Sequence, residues 1–353
     1  MKKERDSQRL GSAPLGRLMV SLAVPAVAAQ LINVLYNIVD RIYIGHIQGY
    51  GDVALTGVGV TFPIIMLISA FSAFAGMGGA PLASIELGRQ DIRKAELILG
   101  NSAGMIVLFS VLLTVGFSIF KRPVLYAFGA SDVTVEYAVS YISIYLIGTI
   151  FVQVAVGLNT FISGQGESKT AMLSVVIGAV LNIILDPILI FVLDMGVNGA
   201  ALATVISQSV SAAWVLRFLT SKQSVLKLRV KNMGLKADIV KRIAGLGVSP
   251  FIMQSTESMV SITLNSGLQN YGGDLYVGTM SIMTSIMQLI LIPVQGIAQG
   301  VQPIISYSYG AGDRKRVKGA FMRLLVSGLL GTLLLGGVAV LVPGVYAGIL
   351  TNN

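Results

Sequence analysis

Three carboxyl groups, Asp40, Asp186 and Glu257, stand inside long apolar runs of this 353-residue sequence. Amides accompany two of them at helical spacing. Asn33, Asn37 and Asp40 fall at i, i+4 and i+7 on one face, and Asn182 precedes Asp186 by one turn, just before Pro187. Ionisable groups in hydrocarbon are costly, so each is a functional candidate. Burial and a like-charged neighbour favour a carboxyl that holds a proton, and the same oxygens suit Na⁺. The plainer alternative is an interfacial Asp40 and an Asp186 that caps a Pro-kinked helix. The mid-helix position of Asn182 and Asp186, with no charged partner nearby in sequence, favours cation coupling. Asp186 and Thr204 flank Met195 at equal separations, which places both about 13 Å below one helical hairpin's apex at 1.5 Å per residue. Asp40 falls at a similar depth near the end of its own run.

Glu257 stands alone in Pro250-Phe-Ile-Met-Gln254-Ser-Thr-Glu257. It takes a proton or meets a cation, and a cationic substrate is the simplest partner. Met280, Met283 and Met287 share one face beside Gln288, and Tyr137, Tyr141 and Tyr145 share another. Such surfaces adapt to apolar shapes and attract cations, but stripes at this spacing are more often packing. They rank below the acids.

The elements that position these residues are transmembrane helices. Hydrophobic residues make up 54% of the chain and charged ones 12%, with a mean hydropathy of +0.80; a soluble domain carries about 25% charged residues. Nine apolar runs long enough to cross a bilayer occupy 17–46, 53–85, 97–120, 134–162, 171–193, 196–220, 243–269, 276–309 and 319–350. The expected fold is all-α, a polytopic membrane bundle. The absence of cysteine excludes disulfides, thiolate metal sites and a cysteine nucleophile, and the lone His46 leaves little for a zinc site.

The net charge of +9 is an orientation signal. With the N-terminus inside, 22 of 25 Lys and Arg fall in inside segments, leaving Arg41, Lys121 and Arg122 outside. A nucleic-acid partner is not expected, because no basic domain presents the charge.

The chain also repeats itself. Gly78-x-x-Pro81-x-x-Ser84-x-x-x-Gly88-x-x-Asp91 recurs as Gly300-x-x-Pro303-x-x-Ser306-x-x-x-Gly310-x-x-Asp313, each followed by a basic pair, and Pro25 is matched by Pro250. Six spans separate the copies, so both halves start on the same side, which makes a parallel repeat. Locally each copy reads as a helix terminus, with Gly as a left-handed cap and Pro as a kink; the duplication suggests two facing bundles with a substrate path between them. At the repeat offset Asp40 corresponds to Asn265, so the halves differ chemically. The division expected is a six-helix lobe over 1–220, a basic linker over 221–242 and an incomplete second lobe of three helices over 243–353. Two apparent motifs fail in context: Gly310-Ala-Gly312-Asp313 lies in a basic loop, and Ser163-Gly-Gln-Gly-Glu-Ser-Lys169 lacks phosphate-loop spacing.

Leu35-Tyr-Asn-Ile-Val-Asp40-Arg with Ile44-Gly45, Asn182-x-x-x-Asp186-Pro187, Gly199-Ala-Ala-x-Ala-Thr204, and Ile292-Pro-Val-Gln-Gly-Ile-Ala-Gln-Gly-Val-Gln-Pro303 running to Tyr309-Gly-Ala-Gly312 occur together and in order. In these motifs the whole chain resembles the bacterial multidrug and toxic compound extrusion (MATE) family. The resemblance implies antiport, in which an organic, often cationic compound leaves as H⁺ or Na⁺ enters. It implies a coupling-ion site of Asp40, Asn182, Asp186 and Thr204, with Asn33 and Tyr141 nearby, and a substrate or cation role for Glu257; on the reading of the residues themselves, Asn37, Met280, Met283 and Met287 are further candidates for substrate or cation contact. No cofactor beyond the coupling ion is expected. The expected setting is the cell membrane, as a monomer with small organic substrates and an inside N-terminus. The family has twelve helices where this sequence has nine, so it reads as truncated, lacking the partners of spans four to six. Two other readings are a lipid or polysaccharide flippase, disfavoured by the scarcity of Lys and Arg inside the spans, and a non-transporting receptor or assembly subunit. An enzyme is not expected, since no nucleophile–base pair or metal cluster can be assembled.

Overall fold

The computed structural model describes residues 9–341, with side chains undescribed at a set of positions between 258 and 289 and at 338–340. All of its regular elements are helical. A helical turn at 9–12 leads into α1 (Leu15–Gly45), α2 (Gly51–Gly88) and α3 (Ile92–Ala127). Then come α4 (Val135–Ile147), α5 (Thr149–Gly164), α6 (Ser168–Val192), α7 (Gly196–Thr220), α8 (Ala237–Gly310) and α9 (Arg314–Leu341).

α1, α2, α3, α6, α7 and α9 are each apolar and long enough to cross a membrane. The run expected as one span over 134–162 is instead two helices, α4 and α5, bent by 62°. The bend lies at Gly148, whose missing side chain makes room for Val205 of α7. A π-helical turn at Val154–Leu158 follows within α5. A second π turn, Ile188–Val192, ends α6 just after Pro187, whose ring blocks regular α-helical hydrogen bonding.

The helical segment α8 covers both the 243–269 and the 276–309 spans. As a straight rod its 74 residues would reach about 110 Å. Its two ends meet the same part of α2, however. Ile243 and Gly247 abut Gly78, and Gly310 abuts Ile85. The segment therefore doubles back into two legs.

The loops rich in Lys and Arg gather at one end of the bundle, where polar side chains fasten them. Gln165, 2% exposed, accepts from Ser224 Oγ, Val225 N and Leu226 N through one amide oxygen. Glu96 accepts from Arg229 Nε at 2.9 Å and from Lys227 N, while Asn101 Oδ1 accepts from Lys236 N at 2.7 Å. The segment between α7 and α8 is thus clamped along the first bundle, and α8 starts at Ala237, directly after the clamp. Glu86 and Glu96 correct the expectation that only three acids lie within spans. Both are buried inside helices, and arginines reach them from other elements.

The repeat takes on a definite form here. Gly88 and Gly310 are not the left-handed caps expected of them. Those caps are Gln90 (φ 65°) and Gly312 (φ 77°), the matching next-but-one residues. The turns that follow are copies: Asp91 N donates to Glu86 O as Asp313 N does to Ser308 O. Asp91 then accepts from Lys94 N and Asp313 from Arg316 N, both at 2.9 Å, capping α3 and α9. The Lys94 backbone bond, helped by the Lys94 ammonium, holds the partly exposed Asp91 carboxyl below its usual range.

Candidate functional site

Four helices bring polar groups to one place in the first bundle. α1 supplies Asp40 and Tyr36, α6 supplies Asn182 and Asp186, α7 supplies Thr204 and Gln208, and α4 supplies Tyr141. The carboxyls of Asp40 and Asp186 lie within hydrogen-bonding reach of one another. Asn182 Nδ2 donates to Asp186 Oδ1 at 3.1 Å. The Tyr141 hydroxyl lies near that of Thr204, and the Tyr36 hydroxyl lies near the Gln208 side chain.

The setting is dry. Asp186 is fully buried, Asn182 is 2% exposed, and Tyr141 and its stacked neighbour Tyr145 are buried. Asp40 Oδ1, Asp186 Oδ2 and Asn182 Oδ1 are buried oxygens without hydrogen-bond partners. Among the described residues neither acid forms an ion pair; the guanidinium of Arg41 lies over the Phe62 ring, 5.2 Å from its centroid. Two ionised carboxylates in contact repel strongly where water is excluded. Such a pair can share one proton, and its carboxylate, amide and hydroxyl oxygens are of the type that binds a small hard cation. No cluster of three or more His, Cys, Asp or Glu side chains suited to a metal ion occurs among the described residues.

The structure thus groups Asp40, Asn182, Asp186, Thr204 and Tyr141. It leaves other expected residues outside the group. Asn33 is exposed, and its backbone carbonyl accepts from Asn37 Nδ2 at 2.6 Å. Asn37 is also exposed. Glu257, Met283 and Met287 are exposed on α8 and Met280 is partly buried there; no described hydrogen bond or ion pair joins Glu257 to the first bundle. Gln288 and Asn265 have side chains outside the described residues. Tyr36 and Gln208 were missed, although each lies four residues from a named site residue, Tyr36 before Asp40 and Gln208 after Thr204. That spacing was the available signal.

The site is open on one side. α8 packs on α1 at Ala23 and Val27, opposite Gly300 and Gly296, and Gln30 Nε2 donates to Gln299 Oε1 at 3.1 Å. Beyond Gln30 the same face of α1 continues two and three turns on at Asn37 and Arg41, both exposed. On α2 the contact face runs through Phe74 and Phe71, whose rings meet Phe251 of α8. Towards the other end it reaches Gly59, which has open space beside it. The helices touch near the basic end and part beyond it.

The MatE family model matches residues 25–188 and 250–353. The multidrug export protein MepA of Staphylococcus haemolyticus (strain JCSC1435) is 26% identical over 311 residues, covering 88% of this chain and 68% of that protein. MepA of Staphylococcus aureus (strain NCTC 8325 / PS 47) is 25% identical over 321 residues, 89% of this chain and 69% of that protein. Among solved structures, a MATE protein in complex with MaD3S superposes with a TM-score of 0.89 at 26% identity, covering 98% of this chain and 77% of that one. An outward-facing multidrug resistance MATE family transporter of the MOP superfamily gives 0.89 at 25% identity, with 98% and 76% covered.

Proposed function

Since the chain belongs to the MatE family of multidrug efflux transporters, we propose that it is a cation-coupled antiporter in which Asp40 and Asp186 carry the coupling ion. It is a multi-pass membrane protein and a transporter, not an enzyme. The reading extends to direction and mechanism: organic, often cationic compounds leave the cell as H⁺ or Na⁺ enters, by alternating access. The membrane is the cell membrane, with the basic end and N-terminus cytoplasmic, as the placement of Lys and Arg supports. The observation that carries the reading is the approach of the partly buried Asp40 carboxyl to the fully buried Asp186 carboxyl, with unpartnered oxygens around them.

Coupling follows from differential affinity. A proton or Na⁺ at the pair favours one arrangement of the bundles, a substrate in the cleft favours the other, and neither ligand shifts the balance by more than its preference. Asn182 orients Asp186, and Thr204, near Tyr141, offers a further oxygen. Glu257, Asn37, Met280, Met283 and Met287 are proposed to meet the substrate from the walls of the cleft; Asn33 sits at its edge.

In vesicles holding the reconstituted chain, Asp40→Asn or Asp186→Asn should abolish gradient-driven movement of a cationic dye. Imposing a proton gradient and a sodium gradient separately identifies the coupling ion. Unchanged dye movement in either variant would remove the pair from the mechanism.

A further inference from the structure

At the basic end the two copies of the repeated motif pack on each other reciprocally. A Cβ at Gly88 would overlap the carbonyl of Tyr307, and a Cβ at Gly310 would overlap the carbonyl of Ile85. Gly88 and Gly310 are equivalent positions of the two copies, and so are Ile85 and Tyr307. Each copy thus uses its glycine to admit the other's backbone, and the close crossing of α2 with the second leg of α8 is a pseudo-symmetric seal. Such crossings hold by van der Waals contact and weak Cα–H···O bonds, with little directional strength.

The directional part of the seal is electrostatic. Glu86, one residue beyond Ile85 and 1% exposed, takes Arg242 of α8 on Oε1 at 3.0 Å, with Arg89 of its own helix at 3.2 Å. Its second oxygen, Oε2, is buried with no partner. A buried carboxylate satisfied on one side is held shut by its arginine yet gains water when the seal parts, which makes the contact bistable. Arg242 lies six residues past Lys236, whose backbone N–H is fixed to the first bundle by Asn101. The start of α8 is therefore anchored at Lys236 and latched at Arg242, less than two helical turns further on.

We propose that Glu86 and Arg242 form the latch of the basic-side gate. The reciprocal Gly88–Gly310 crossing is the surface that parts, and α8 pivots about Lys236 when the cleft opens to that side. This rests on the alternating-access reading given above.

The native chain has no cysteine, so single reporters can be placed freely. Ser308, the repeat partner of Glu86, is fully buried in the seal. In proteoliposomes, a Ser308→Cys chain should react slowly with a water-soluble maleimide, and adding Glu86→Gln should speed labelling by roughly tenfold, within the range of a two-state coupling. Arg242→Gln, at a half-exposed position, should act in the same direction and covers the case in which Glu86→Gln folds poorly. A second chain, Gln30→Cys with Gln299→Cys, joined by a short reducible thiol cross-linker, should stop dye transport until reduced. If the cross-link blocks transport while neither latch variant changes labelling, the latch is wrong and alternating access stands. If the cross-linked chain still transports, alternating access itself fails, and the gate with it.

Discussion

Two glycines of one helix show how differently the two ends of the molecule are built. Gly88 of α2 has the backbone of Tyr307 against it, whereas Gly59 of the same helix has nothing within 4 Å. Around Gly88 lie an ion pair, the Gln90–Tyr307 hydrogen bond at 3.3 Å, and Arg316 bonded to the carbonyls of Leu10 and Ala13. Around Gly59 the corresponding face is open, and the carboxyl pair lies on that side of the seal. One continuous helix thus belongs to a closed end and an open end at once. Two packed bodies that touch along part of their length can exchange which part that is, and small-residue contacts keep the cost of exchange low.

The largest effect expected from attacking this difference is at the crossing. Gly310→Val forces a side chain into the Ile85 carbonyl and should destabilise the closed end by about 2–3 kcal/mol, read as a lower thermal midpoint of the solubilised chain. Gly59→Val, on the open face, should stay within about 0.5 kcal/mol of the parent. Equal effects at the two positions would erase the contrast.

A smaller effect is expected where the segment between α7 and α8 is fastened. Gln165→Ala strands the Val225 and Leu226 N–H groups and should cost about 2 kcal/mol, mostly as local opening. Hydrogen exchange should quicken in residues 221–236 and stay unchanged around Asp186. Loosening that spread evenly over the bundle would show that the segment is no separate clamp.

Much of this architecture was legible in residue order. Runs of apolar residues located the six membrane-length helices and the bent pair among the described residues, and the crowding of Lys and Arg between alternate spans anticipated the basic end. The turn carrying Asn182 and Asp186 anticipated their meeting, since helical periodicity fixes which side chains share a side, whereas of the face read as Asn33, Asn37 and Asp40 only Asp40 joins the group. What stayed hidden depends on partners distant in sequence. Glu86 looks like a helix-end acid until Arg242 arrives from α8. Gly88 looks like a cap until Tyr307 comes to lie beside it, and the cap proves to be Gln90, a residue type that seldom adopts positive φ. The break at Gly148 is set by contact with Val205, which no local pattern announces. Tyr36 and Gln208 were within reach of the same four-residue spacing that found their neighbours.

The central claim is that occupancy of the carboxyl pair exchanges the open and the sealed end. It is tested most directly by the maleimide labelling rates of Gly59→Cys and Ser308→Cys chains in proteoliposomes, measured across pH and across Na⁺ concentration. The account predicts opposite responses, one reporter slowing as the other quickens, and the loss of both responses when Asp40→Asn is added. Rates that rise and fall together, or an exchange that persists without the Asp40 carboxyl, would contradict it.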